Sequence, residues 1–265
     1  MSASSKTAVV TGASSGIGAV YAERLAARGF DLILVARRAD RLNALADKLS
    51  TTHGRKVQVV VADLAQEGDL ARVEDVLRRD ESVRLLVNNA GIARFRPFAQ
   101  STIEDSGSQI ALNITALTRL ALAVLPGFVA RNEGTLINVA SILAVHALPV
   151  STVYSATKAY VLQFSRGLQQ ELATTGVKVQ AVLPAATETE IWSDDSGVPL
   201  SALAKGTVMS AGDLVDAALA GLDQGEAVTW PSVGDVGLWN TFDAARVALV
   251  GATQTGTPAA RYTKA

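Results

Sequence analysis

The sequence has no cysteine and only two histidines among its 265 residues. Disulfides, thiol nucleophiles and thiolate-bound metals are therefore excluded. His53 and His146 stand far apart, which leaves no pattern for a histidine-ligated metal or a Ser-His-Asp triad. No metal site is expected. Neither sign of charge dominates: 24 Lys and Arg against 25 Asp and Glu give a net charge of −1. The basic residues are scattered, so no nucleic-acid partner is expected. The N-terminal Met1-Ser-Ala-Ser-Ser-Lys6 contains no long apolar run. The reading expects no leader peptide, no membrane-spanning helix, and a soluble cytoplasmic protein. What the chain has in quantity is hydrophobic residues, 49% of the total, enough to build one large α/β domain or two small ones.

Short apolar runs alternate with helical patterns along the chain. Thr7–Thr11, residues 32–35, 57–61, 83–88, 134–141, 177–184 and 227–231 read as strands. Helices are expected near 16–28, 39–50, 69–79, 102–128, 152–175, 212–221 and 238–250. This β-α-β rhythm predicts a doubly wound α/β Rossmann fold: a parallel sheet with helices on both faces. No repeat or linker interrupts it, so residues 1–265 read as one domain. The irregular stretch at about 185–210 reads as a lid, and a tail begins at about 234. The segment 102–128 is apolar almost all round, as expected for a helix covered on more than one side, by the sheet and by a partner subunit. Asn113 sits inside it and needs hydrogen bonds if buried.

Gly12, Gly16 and Gly18 follow the first strand and open the first helix. Their spacing differs from the G-x-G-x-x-G pattern, but the requirement is shared: a tight turn, close backbone approach, and a helix N-terminus aimed at a pyrophosphate. Ser14 and Ser15 add hydroxyl donors. The second strand ends in Ala36-Arg37-Arg38. An acidic residue here would bond the ribose hydroxyls of NAD, whereas guanidinium groups match a 2′-phosphate, so NADP(H) is the expected cofactor. Tyr154 and Lys158 are four apart and share a helix face. A cation beside the phenol is expected to lower its pKa and suit it to proton transfer with a carbonyl oxygen or an alcohol. Ser141, at the end of a strand, is placed to hold the same oxygen.

Together Thr11-Gly-Ala-Ser-Ser-Gly-Ile-Gly18, Asp63, Asn88-Asn-Ala-Gly91, Asn113, Ser141 and Tyr154-Ser-Ala-Thr-Lys158 resemble the short-chain dehydrogenase/reductase family over residues 6 to 231. The resemblance implies a single domain with a sheet of about seven parallel strands. It implies Tyr154 as the general acid/base, with Lys158 lowering its pKa and holding the nicotinamide ribose. Ser141 would polarise the carbonyl, and Asn113 would hold a water in a proton relay. Cofactor contacts are implied at Gly12, Ser14, Ser15, Gly16, Ile17, Gly18, Arg37, Arg38, Asp63, Leu64, Asn89, Ala90, Gly91, Pro184, Thr187 and Thr189. The chain has Pro184-Ala185 where the family has Pro-Gly, so a changed turn is expected there. Arg94, Leu143, His146 and Trp192 fall at substrate-pocket positions, with Phe95 beside them. The implied activity is an NADPH-dependent oxidoreductase (ketoreductase) that interconverts a carbonyl and an alcohol on a mainly apolar small molecule. Two alternatives share the fold: an epimerase or dehydratase that recycles bound cofactor, and a non-enzymatic dinucleotide-sensing or partner-binding protein. A homodimer or homotetramer is implied.

Overall fold

A computed structural model of the chain describes residues 6–204 and 206–263. Residues 1–5, where no leader is expected, lie outside the described residues, as do position 205 in the lid and the last two residues of the tail. The strands are β1 (Thr7–Thr11), β2 (Asp31–Ala36), β3 (Val57–Val61), β4 (Val83–Asn88), β5 (Gly134–Val139), β6 (Val177–Val182) and β7 (Val228–Thr229). They form one sheet in the order β3-β2-β1-β4-β5-β6-β7, every pair parallel. The helices are α1 (Gly16–Ala27), α2 (Ala39–His53), α3 (Glu67–Arg79), α4 (Ile103–Ile110), α5 (Leu117–Arg131), α6 (Thr152–Glu171), α7 (Ala211–Asp223) and α8 (Val236–Ala252). Residues up to Pro231 form one compact unit, and those from Ser232 onward, with α8, form a second small one.

The run of apolar residues in each central strand follows from burial on both faces. In β1, Ala8 and Val10 face one core with Tyr21, Leu25, Leu42, Leu49, Leu214 and Leu219 from α1, α2 and α7. Val9 faces the other, with Leu70, Val73, Leu77, Leu120, Val124 and Phe128 from α3 and α5. Each buried leucine-sized side chain contributes about 1.5–3 kcal/mol. Because the chain reverses its strand order between β1 and β4, their C-terminal ends open a crevice at the sheet's top edge. Both the Gly-rich turn and the Asn88–Gly91 segment emerge there.

The long helix expected over 102–128 is not a uniform α-helix. It begins at a capping box, with Thr102 Oγ1 accepting from Asp105 N at 3.0 Å and Asp105 Oδ2 accepting from Thr102 N at 3.2 Å. Residues Ala111–Ala116 then form a π-helical turn between α4 and α5. The whole run Ile103–Arg131 is long and apolar enough, by length and composition, to cross a membrane. Its α5 portion nevertheless buries Leu120, Ala121, Val124 and Phe128 against the sheet, as a core helix does.

The turn from α5 into β5 is packed without slack. A Cβ on Gly134 would collide with Cγ of Phe128, which is fully buried. Gly134→Ala is expected to destabilise the fold by about 1–3 kcal/mol through overpacking, read as a lowered midpoint in urea denaturation. An unchanged midpoint would mean that Phe128 can step aside.

Candidate active site

The crevice is built around Thr11. Its hydroxyl donates to Val87 O at 3.1 Å and accepts from the backbone N–H groups of Asn89 and Ala90, each at 3.0 Å. The Asn89 amide returns the tie, donating to Thr11 O at 2.9 Å. Asn89 thus braces the Gly-rich turn against β4. The turn leaves no room for side chains. Gly12 has φ +67° and Gly16 φ +53°, and a Cβ on Gly18 would collide with Gly12 O. Such a bare backbone cradle at the start of α1 fits a dinucleotide pyrophosphate. Ile17 packs partly buried beneath it. Asp63, partly buried, folds its carboxylate back on its own turn, accepting from Ala65 N at 3.1 Å. The Leu64 side chain is buried in the core.

On the other side of the crevice stand β5 and α6. Ser141 follows β5, and its Oγ caps a short 3₁₀ turn by accepting from Leu143 N at 3.1 Å. Tyr154 lies in the first turn of α6 and Lys158 one turn further on. Tyr154 shares a hydrogen bond with the Ser141 side chain. Lys158 Nζ donates to Val139 O at 2.8 Å and sits 5.7 Å from the centre of the Tyr154 ring. All three side chains are buried.

Burial works against the expected phenol acidity. The Tyr154 hydroxyl is pushed up to about 12 by desolvation, only partly offset by Ser141. Burial also pulls Lys158 down to about 8. The ammonium lies beside the ring, is itself weakened as a cation, and does not overcome the cost of placing a phenolate away from water. In the unliganded chain Tyr154 is therefore a neutral phenol, the form that donates a proton.

Asn113 occupies the π-helical turn and is almost fully buried. Its amide pairs with the backbone of Ile92 in both directions, accepting from Ile92 N and donating to Ile92 O, each at 2.9 Å, and it also reaches Thr157 Oγ1 at 3.1 Å. The π turn rotates this side chain toward the crevice. A Cβ on Gly91 would come 3.2 Å from Asn113 Oδ1 and 3.6 Å from Lys158 Nζ. Gly91 thus keeps that meeting point open.

The substrate-side expectations divide. Leu143 and Trp192 do pack around Tyr154, with Ala93, Phe95, Val150, Ile191 and Val198. Phe95 stands edge-on to Tyr154 at 5.3 Å and stacks on Trp192 at 5.4 Å. His146 stays exposed on its turn and joins no part of this cluster. Arg94 is held in ion pairs with Asp105 at 3.6 Å and Asp195 at 3.1 Å. No sequence pattern marks Asp105 or Asp195 as partners of Arg94. Ala185 takes the place of a glycine without strain, since Asn132 is the sole described non-glycine residue with positive φ. Just before it, Pro184 O accepts from Ile142 N at 2.9 Å. Thr187 is buried and bridges to Met209, and Thr189 lies against Gly16.

Of the two arginines after β2, Arg37 is exposed and has no partner among the described residues. Arg38 is drawn in over the Gly-rich turn, its guanidinium 2.7 Å from Ser15 Oγ and 3.0 Å from Ser14 Oγ.

The family model for short chain dehydrogenase matches residues 6–197. Among solved structures, the chain is similar to a short-chain dehydrogenase from Sphingobium yanoikuyae in complex with NADPH. They share 46% identity and a TM-score of 0.93, over 97% of this chain and 100% of that one. It is also similar to a bulky-bulky ketone specific alcohol dehydrogenase from Comamonas testosteroni, with 42% identity and a TM-score of 0.89, over 98% and 99% of the two chains. Among curated relatives, it is 38% identical over 183 residues to a very-long-chain 3-oxoacyl-CoA reductase of Danio rerio. That match covers 68% of this chain and 57% of the relative's length. The seven-stranded parallel sheet, the glycine cradle at its switch point and the family match over residues 6–197 together establish that this chain belongs to the short-chain dehydrogenase family.

Proposed function

We propose that the protein is an NADPH-dependent carbonyl reductase acting on a ketone or aldehyde with apolar substituents. The observation that carries this reading is the buried, neutral Tyr154 phenol hydrogen-bonded to Ser141, at the end of a crevice shaped for a dinucleotide. Two structural relatives support it, one bound to NADPH and one a ketone-specific dehydrogenase.

Bound NADPH would supply the hydride. The glycine cradle at Gly12–Gly18 would hold its pyrophosphate, and exposed Arg37 would meet the 2′-phosphate. Asn89, Ala90 and Gly91 would line the crevice opposite. The chain's own work is then positional and electrostatic. Ser141 Oγ and the Tyr154 hydroxyl, which share a hydrogen bond, would together hold the substrate oxygen. Tyr154 would give that oxygen its proton as negative charge develops on it. Lys158, with its ammonium beside the phenol, would stabilise the phenolate left behind. Asn113 fixes the Ile92 backbone and the Thr157 hydroxyl next to Lys158, at the point from which a proton would be returned. The wall formed by Phe95, Leu143, Val150, Ile191, Trp192 and Val198 favours apolar groups on the carbonyl carbon. An intact Ser141, Tyr154 and Lys158 set in one buried cluster favours turnover over a purely sensing role.

Tyr154→Phe should lower carbonyl reduction by about 10²–10⁴-fold while the NADPH Kd stays within about twofold, measured by turnover and by fluorescence titration. Wild-type-like kcat in this variant would sink the mechanism. Arg37→Ala should raise the Kd for NADPH by about tenfold and leave that for NADH unchanged, so an unaltered ratio would remove the NADP assignment. The Lys158 ammonium is charged below about pH 8 and neutral above it in the free protein. The kcat/KM for NADPH should therefore fall as pH rises through that value, and Lys158→Met should be lower and flat across the same range. A wild-type profile that does not bend there would contradict the assigned role of the charge.

A further inference from the structure

Glu190 lies one residue beyond Thr189, in the lid. Its two carboxylate oxygens take two different arginines. Oε2 accepts from Arg38 Nη1 at 2.6 Å, and Oε1 accepts from Arg41 Nη1 at 2.5 Å. Arg38 commits its other nitrogens to the Gly-rich turn: Nε and Nη2 reach Ser14 Oγ at 3.1 and 3.0 Å, and Nη2 also reaches Ser15 Oγ at 2.7 Å. One guanidinium thereby joins three segments that are distant in sequence: the turn after β1, the loop after β2, and the lid after β6. The same lid stretch rests on the glycine cradle, since a Cβ on Gly16 would come 3.0 Å from Thr189 Cγ2. Below Glu190 in the lid, Trp192 Nε1 donates to Thr187 O at 2.8 Å, which stiffens the strap that carries the carboxylate. The two arginines hold the Glu190 carboxyl down to about 2, so it is ionised at any pH where the fold is expected to work.

We propose that Glu190, Arg38 and Arg41 form a clasp that fastens the lid across the dinucleotide crevice, with Arg38 acting as a positioning residue for the lid and not as a reader of the 2′-phosphate. This rests on the dinucleotide reading above. The division of labour follows from the geometry. Arg38 has Nε, Nη1 and Nη2 all engaged with protein groups, whereas Arg37 next to it is exposed and has no partner among the described residues. A clasp made between protein groups is indifferent to what the ribose carries. It should slow the release of NADPH and NADH alike, whereas a phosphate reader discriminates between them. Arg38, Arg41 and Glu190 side chains are 38%, 46% and 52% exposed, so salt screens the clasp and each pair alone is worth little.

The test is stopped-flow measurement of cofactor dissociation from the full-length protein, with NADPH and NADH run separately. Glu190→Gln and Arg41→Met are each expected to speed release of both dinucleotides by the same factor, about two- to fivefold, with the Tm unchanged. The double variant should be no faster than the faster single variant, because both changes open the same clasp. Arg38→Met should also affect both dinucleotides equally, in contrast to the NADPH-selective effect of Arg37→Ala. Added salt should speed NADH release from the wild type, and from Glu190→Gln it should not. Release from Glu190→Gln as slow as from the wild type would overturn the clasp, as would an Arg38→Met effect confined to NADPH. Failure of the wild type to bind either dinucleotide would overturn the reading on which the clasp rests, and is distinguishable because no release would be seen at all.

Discussion

The tie between Thr11 and Asn89 is the constraint on which the site depends. These residues are 78 apart in sequence, yet the Thr11 hydroxyl accepts from two backbone N–H groups of the segment after β4 while Asn89 holds the Thr11 carbonyl. Thr11 is buried and its partners are partly so, which makes these bonds costly to leave unmade. The result is a crevice of fixed width at the point where strand order reverses. The glycine cradle forms its floor on one side and Gly91 keeps the other side open. Loosening this tie would move both walls relative to the sheet.

Across the crevice, burial decides the electrostatics. Tyr154 and Lys158 lie close enough to interact, but both are removed from water, and desolvation disfavours the charged form of each. The pair is therefore poised as a neutral phenol beside a cation of reduced basicity. Developing negative charge on a substrate oxygen is what would make transfer from that phenol favourable. Asn113 contributes by geometry. Its amide satisfies both polar groups of Ile92, and it reaches that position because the helix opens into a π turn at Ala111–Ala116.

The lid meets the rest of the compact unit at two kinds of contact. Near Tyr154 the contact is apolar and aromatic, with Trp192 stacked on Phe95 and the Phe95 N–H donating to Ser196 O at 2.5 Å. Near the Gly-rich turn it is ionic, through Glu190. Arg94 joins the two regimes by pairing with Asp195 of the lid and with Asp105 of α4. A half-exposed ionic end is easily remade by solvent, whereas a stacked aromatic end resists water, so the two ends of the lid differ in how readily they open.

The order and type of the elements were legible in the sequence, because parallel strands buried on both faces read as apolar runs and the helices between them carry the 3.6-residue period. So were Gly12, Gly16 and Gly18, whose backbone requirement is local, and the shared face of Tyr154 and Lys158, which needs only a helix. The strand order was not legible in these patterns, since they do not say which neighbour each strand takes. The π turn around Asn113 was equally hidden, because α and π helices share one hydrophobic pattern over a single turn. The pairing of Arg94 with Asp195 and of Glu190 with two arginines 149 and 152 residues away are contacts between distant segments, and the exposure of His146 depends on how the turn after β5 is packed. Only the tertiary structure decided them. The same holds for the acidity of Tyr154: its neighbour was written in the sequence, but the water excluded from both groups is a property of the packed fold.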